Sequence, residues 1–167
     1  MAIDGWPTID NLRRSIVDEQ ATVPASHQDL VDRPLIAHFA TVRSDGSVQS
    51  NPMWFAWDGS RIRLTHTRTR KKFQNVSAEP RVALSIVDPD DSQRYLEIRG
   101  VVESIDDDTG APFYKTLQER YGAGGRPIHD ADVRVVLVIR PTVILARSFS
   151  PGDVQATMER SVAGRSA

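Results

Sequence analysis

From Leu35 onward the chain is a succession of β-forming runs punctuated by tight-turn signals. LIAHFATVR stops at Ser44-Asp45-Gly46-Ser47, VQSNPMWFAW stops at Asp58-Gly59, and RIRLTHTR follows. After a polar stretch come RVALSIVD, closed by Asp88-Pro89-Asp90-Asp91, then RYLEIRGVVESI and finally VRVVLVIRPTVILAR. Turns this short join antiparallel neighbours, because a parallel pair needs a crossover of roughly a dozen residues or more. The pattern therefore predicts a mainly β fold of about six antiparallel strands, the first three forming a meander. That many strands in one small domain favour a barrel, whose closure removes the exposed edges. Gly100 inside one strand predicts a bulge or the close approach of another backbone, and Pro141 a kink or bulge in the last strand.

Helices interrupt the strands. Ser26 is placed to cap a short helix running to Asp32, before Pro34. Thr69 is placed to cap RKKFQNVSAE, with Phe73 and Val76 as the buried stripe and Pro80 as the stop. Asp106, Asp107 and Asp108 precede a helix over about 109–121, where acidic groups oppose the positive helix end. Its inner face is Phe113, Leu117 and Tyr121. Leu12, Ile16 and Val17 are spaced for one face of a helix in an N-terminal arm. The domain reading is an arm with a short helix at 1–29, a barrel domain at 30–149 and a polar tail at 150–167.

A chain of 167 residues, 40% hydrophobic and 26% charged, can bury one core. The formal net charge of −1 gives no general attraction for nucleic acid or an acidic membrane surface. With no cysteine, disulfides, thiolate metal sites and a cysteine nucleophile are excluded. The absence of cysteine fits a reducing cytoplasm, the expected location. The first residues have neither a basic nor an apolar signal-peptide region, and no apolar run approaches the length of a bilayer span. His27, His38, His66 and His129 lack zinc-site spacing, so no metal is expected. Ser44, Ser47 and Ser50 have no nucleophile-elbow setting.

Two stretches carry chemistry. The first, THTRTRKK, places Arg68, Arg70, Lys71 and Lys72 where a strand passes into a helix. A helix start offers free N–H groups and the positive end of the dipole. Thr65, Thr67 and Thr69 add hydroxyl donors, and Arg and Lys add charge-assisted hydrogen bonds. The stretch suits a phosphate cradle and, equally, a solvated basic helix end. The second is QSNPMWFAW. Gln49 and Asn51 are polar residues inside an apolar strand, and Pro52 marks an edge or bulge. Phe55 and Trp57 read as core, and alternation puts Trp54 on the opposite face.

The ordered series ATVRSDG, NPMWFAWDG, TRTRKKFQNV with EPRVALSI, and EIRGVVE resembles the flavin/deazaflavin oxidoreductase group B. These are relatives of pyridoxamine 5'-phosphate oxidase with a split β-barrel, and the resemblance covers roughly residues 30–147. It implies a homodimer with two equivalent coenzyme sites at the subunit interface, acting on a small-molecule substrate. Thr69-Arg70-Lys71 stands where such oxidases hold the FMN phosphate. Gln49, Ser50, Asn51 and Pro52 would run beside the coenzyme's ring, and Thr65 and His66 along its ribityl chain. The extra Arg68 and Lys72 suit the long anionic tail of the deazaflavin coenzyme F420. The pattern is closest to the actinobacterial F420-using branch. The resemblance thus implies an F420-dependent oxidoreductase passing a hydride to an enone, quinone or tetrapyrrole. Its alternatives are an FMN-dependent enzyme and a non-catalytic F420- or haem-binding protein.

Overall fold

The computed structural model describes residues 21–148. The predicted N-terminal arm helix and the tail from Ser150 lie outside the described residues. A 3-10 turn, Ala25–His27, leads into α1, Gln28–Asp32. The strands are β1 (Ala37–Val42), β2 (Val48–Met53), β3 (Phe55–Trp57), β4 (Ile62–Thr67), β5 (Arg81–Val87), β6 (Tyr95–Asp107) and β7 (Arg134–Arg147). Helix α2 (Lys71–Ala78) lies between β4 and β5, and α3 (Pro112–Arg120) between β6 and β7.

All pairings are antiparallel, in the order β2-β1-β5-β6-β7-β4-β3. Strands β2 and β3 occupy opposite edges of this sheet, yet only Trp54 separates them in sequence. The sheet must therefore curl until its two edges meet, which makes it a barrel. Among the described residues there are seven strands rather than about six, and the first three runs do not form a meander. VQSNPMWFAW is two strands: its first half pairs with β1 and its second with β4. Pro52, without an N–H, sits in the edge strand β2, where the missing donor is tolerated.

The β1–β2 and β3–β4 hairpins are each built by an aspartate and a glycine. Asp45 Oδ1 accepts the Ser47 N–H at 2.9 Å, and Asp58 Oδ1 accepts those of Ser60 and Arg61 at 3.0 and 2.8 Å. Gly46 and Gly59 take φ of +82° and +96°, a region costly for other residues. At the long β6–β7 pair the register shifts beside Gly100, which faces Pro141. A Cβ on Gly100 would lie 2.6 Å from the Arg140 carbonyl oxygen, so both predicted features, the bulge and the close approach, coincide there.

Phe39, Phe55, Leu64, Leu84, Ile98 and Leu137 are among the fully buried residues that fill the barrel, and Leu30 and Val31 of α1 join the same core. The boundary drawn at residue 29 thus falls inside a helix that packs on the barrel. Ser26 does not cap α1: His27 occupies that position, and the Ser26 hydroxyl bonds the His27 ring instead. Helix α1 is held by ion pairs from Arg94 to Asp29 and Asp88, and the Arg94 hydrogen bonds hold the Asp29 carboxyl at about 2.

Candidate functional site

Helix α2 starts at Lys71 because Arg70, with extended φ and ψ, is its N-cap. Thr69 lies one residue too early to cap it, and its hydroxyl stands 3.4 Å from that of Thr67. Phe73 is half-buried and Val76 buried, as their spacing predicts. In the first turn of α2 the Phe73 N–H is taken by the Arg70 carbonyl at 3.1 Å, which leaves the Lys71 and Lys72 N–H groups as the free donors of the helix start. Against this helix start lies a cavity of about 990 Å³, bounded by β2, β4, α2, α3 and the start of β7.

Nine of the twelve residues expected at the site line this cavity: Gln49, Asn51 and Pro52 of β2, Thr65, His66 and Thr67 of β4, and Arg70, Lys71 and Lys72. Ser50, Arg68 and Thr69 do not. Ser50 is exposed, because strand alternation turns it away from Gln49 and Asn51. Arg68 bonds Asp107 at 3.3 Å and lies over the Phe73 ring.

A chain of amides sets the β2 wall. Buried Asn75 of α2 donates to Thr41 Oγ1 at 3.0 Å and to Gln49 Oε1 at 3.3 Å, and Gln49 Nε2 donates to Asn51 Oδ1 at 3.2 Å. Asn51 Nδ2 has no partner among the described residues and is left as a donor on the cavity wall. Asn75 was not singled out in the sequence, where it reads as one polar residue of an amphipathic helix.

The opposite wall also escaped the sequence reading. Arg134 opens β7, is 9% exposed, donates to Thr65 Oγ1 at 3.0 Å and pairs with Asp130 at 2.8 Å. Its guanidinium lies 3.4 Å from the Tyr114 ring centroid. Tyr114 stacks on Trp54 at 6.2 Å, and Trp54 on Tyr121 at 4.9 Å. Trp54 lines the cavity while Phe55 is buried in the core. The only trace of Arg134 in the sequence is a charged residue heading an apolar run. Helix α3 is anchored by Asp108, whose carboxylate accepts the Phe113 and Tyr114 N–H groups at 2.8 and 3.2 Å. The acidic run thus acts at the helix start, through its third member.

Four cationic side chains, Arg70, Lys71, Lys72 and Arg134, line the cavity against one carboxylate, Asp130. His66, buried among them, is pushed down to about 4 by burial and then by the charges of Lys72, Arg70 and Arg134. It is therefore a neutral imidazole at pH 7, and its Nε2 has no hydrogen-bond partner among the described residues. Lys72 is 7% exposed, and burial with the Arg70 charge lowers its ammonium from the usual lysine value. Asp130 is committed to Arg134, so the excess positive charge has no counter-ion in the cavity among the described residues. Such a site takes an anionic ligand with acceptor atoms, and the aromatic wall suits a planar one. Among the described residues no cluster of His, Cys, Asp or Glu can hold a metal ion. No described helix is long and apolar enough to cross a membrane.

The sequence profile of the pyridoxamine 5'-phosphate oxidase family matches residues 23–147. A solved structure described as an F420 reductase is 49% identical, with 74% of this chain and 98% of that chain covered and a TM-score of 0.71. A conserved hypothetical protein from Mycobacterium tuberculosis is 21% identical over 78% of this chain and 88% of its own, with a TM-score of 0.60. General Stress Protein 26 from Bacillus anthracis is 23% identical over 72% and 89%, with a TM-score of 0.56. These last two carry the likeness of fold alone. No curated protein matches the chain.

Proposed function

Because the chain belongs to the pyridoxamine 5'-phosphate oxidase family, we propose that it is an oxidoreductase that uses coenzyme F420 to reduce small conjugated organic substrates of the enone, quinone or tetrapyrrole type. The observation that carries this reading is the cavity itself: a helix start and uncompensated cations meet an edge strand and an aromatic wall in one space. The residues fit a planar, anionic coenzyme. The unpartnered His66 Nε2 and the buried ammonium of Lys72 both await a ligand. The 49% identical F420 reductase supports F420 over FMN.

In this reading Arg70, Lys71 and the first N–H groups of α2 hold the phosphate. Gln49 and Asn51, ordered by Asn75, meet the polar edge of the ring system, and Pro52 lies beside it without a competing N–H. Thr65, His66 and Thr67 line the path between ring and phosphate. When bound, the coenzyme supplies the hydride. The chain's own contribution is to hold the ring in register, to leave one face open to the substrate and to surround it with fixed positive charge. The exposed edge of β2, with Val48 at 70% exposure, supports a homodimer in which a second copy completes the site.

The test is anaerobic. Reduced F420 is mixed with the protein and a panel of quinones and enones, and reoxidation is followed at the deazaflavin absorbance. Protein-dependent turnover with at least one acceptor is the expected result. Tight binding with no turnover on any acceptor would instead assign the chain a storage role, and turnover with FMN alone would move it to the flavin-using members.

A further inference from the structure

Of the two cations buried in the described residues, Lys72 and Arg134, one is neutralised and one is not. Arg134 is paired with Asp130 and bonded to Thr65. Among the described residues Lys72 has no carboxylate within ion-pair distance, and its sole polar side-chain contact is the Met53 sulfur, 3.6 Å from Nζ. A thioether is a weak acceptor and neutralises nothing. An ammonium this buried is destabilising unless an anion meets it. Its position says which part of a ligand that anion belongs to. Arg70 and Lys71 are exposed at the start of α2, where a phosphate is met. The Lys72 side chain reaches the last residue of β2, next to Trp54. The cavity therefore offers a buried cation at its β2 wall in addition to the exposed cations of the helix start.

We infer that Lys72 is the partner of negative charge on the ligand's ring system, distinct from the phosphate anchor, and that it holds the coenzyme ring in its anionic form. This rests on the F420 reading above. Chemically, deprotonation of the ring gives a delocalised anion spread over its nitrogens and oxygens, the proton leaving to solvent. A fixed ammonium at the ring edge favours that anion over the neutral ring, and an electron-rich reduced ring is the better hydride donor. Lys72 thereby contributes charge at the reacting group, where Arg70 and Lys71 contribute attachment.

The experiment is a spectrophotometric pH titration of protein-bound F420, in both oxidation states, under saturating protein. In the wild type the bound ring loses its proton at a pH at least one unit below that of the free coenzyme in at least one oxidation state. In Lys72→Met that shift disappears while binding persists, and Lys72→Arg restores most of it. Unchanged ring ionisation on binding to the wild type overturns the inference without needing any variant. So does a Lys72→Met protein that binds F420 more than tenfold more weakly with its ring ionisation intact, since Lys72 would then be a phosphate ligand. If the wild type binds no F420 at all, the parent reading fails and this one with it. Retained binding with no ionisation shift removes this inference alone.

Discussion

Tyr121 holds Phe55 by both of its backbone polar groups. The hydroxyl accepts the Phe55 N–H at 3.1 Å, donates to the Leu35 carbonyl at 2.7 Å, and has the Phe55 carbonyl as a second acceptor at 3.2 Å. Phe55 begins β3 at one sheet edge, and Leu35 lies just before β1, the neighbour of the other edge strand. One side chain thus ties the barrel's two edges together where Trp54 passes between them. Burial raises the Tyr121 phenol above its usual value, so it remains a donor throughout the neutral range.

Tyr121→Phe leaves the Phe55 N–H and the Leu35 carbonyl without that partner. The expected loss is about 1–3 kcal/mol, read as a lowered urea midpoint at unchanged m-value. Because Trp54 stacks on the Tyr121 ring, which Phe preserves, ligand affinity should fall less than stability does.

Gly100→Ala places a methyl group 2.6 Å from a backbone oxygen and 2.9 Å from Ile139 Cγ2. The neighbouring strand cannot yield as a flexible side chain does, so the substitution should cost on the order of 2 kcal/mol or more. Thermal unfolding measures it. Alanine at the exposed Gly124, whose Cβ would have only ordinary contacts, should change the midpoint little by comparison.

Stability should fall in two separate acid windows. His66 is depressed to about 4 in the folded chain, against an ordinary 6.5. The unfolded chain therefore binds more protons between those values, and stability is lost as pH falls from 6.5 towards 4. Asp29 and Glu79 are lowered to about 2 by arginine hydrogen bonds, so their contribution is present above their ordinary values of 3.8 and 4.5 and is lost as pH falls from there to about 2. Replacing His66 with Phe should flatten the first window and leave the second, which denaturation at stepped pH will show. An unchanged first window would mean that His66 does not titrate as its surroundings dictate.

The basic cluster divides into cations that face the cavity and one that does not. Arg70→Ala and Lys71→Ala should each weaken anion binding by about 1–3 kcal/mol, with a loss that shrinks as salt is raised. Arg68→Ala should change affinity little, because Arg68 is engaged with Asp107. Binding isotherms at low and high ionic strength separate the three. Equal losses at all three positions would mean that the cluster acts as a diffuse field.

Much of the fold was legible in the chain because it is encoded locally. Asp45-Gly46 and Asp58-Gly59 announce hairpins through their own side-chain and φ requirements, and Gly100 and Pro141 announce the bulge. What local pattern does not encode is which edge a strand joins. The passage of the chain from β2 to β3 at Trp54 depends on closure of the whole sheet, so one run was read where there are two strands. The same division holds at the site. Arg70, Lys71 and Lys72 stand next to one another at a strand-to-helix junction and were visible. Arg134, Asp130 and Tyr114 reach the cavity from sequence-distant elements and were not. Arg68 does not line the cavity, because Asp107, across the fold, engages it, and adjacency in sequence does not reveal that contact.

The most direct test is an equilibrium fluorescence titration of the purified protein with F420 and, separately, with FMN at low salt. The arrangement of cations and aromatic wall predicts saturable F420 binding at least tenfold tighter than FMN binding, weakened by Arg70→Ala. Tighter binding of FMN, or binding of neither, would contradict the proposal that this cavity is built for the deazaflavin coenzyme.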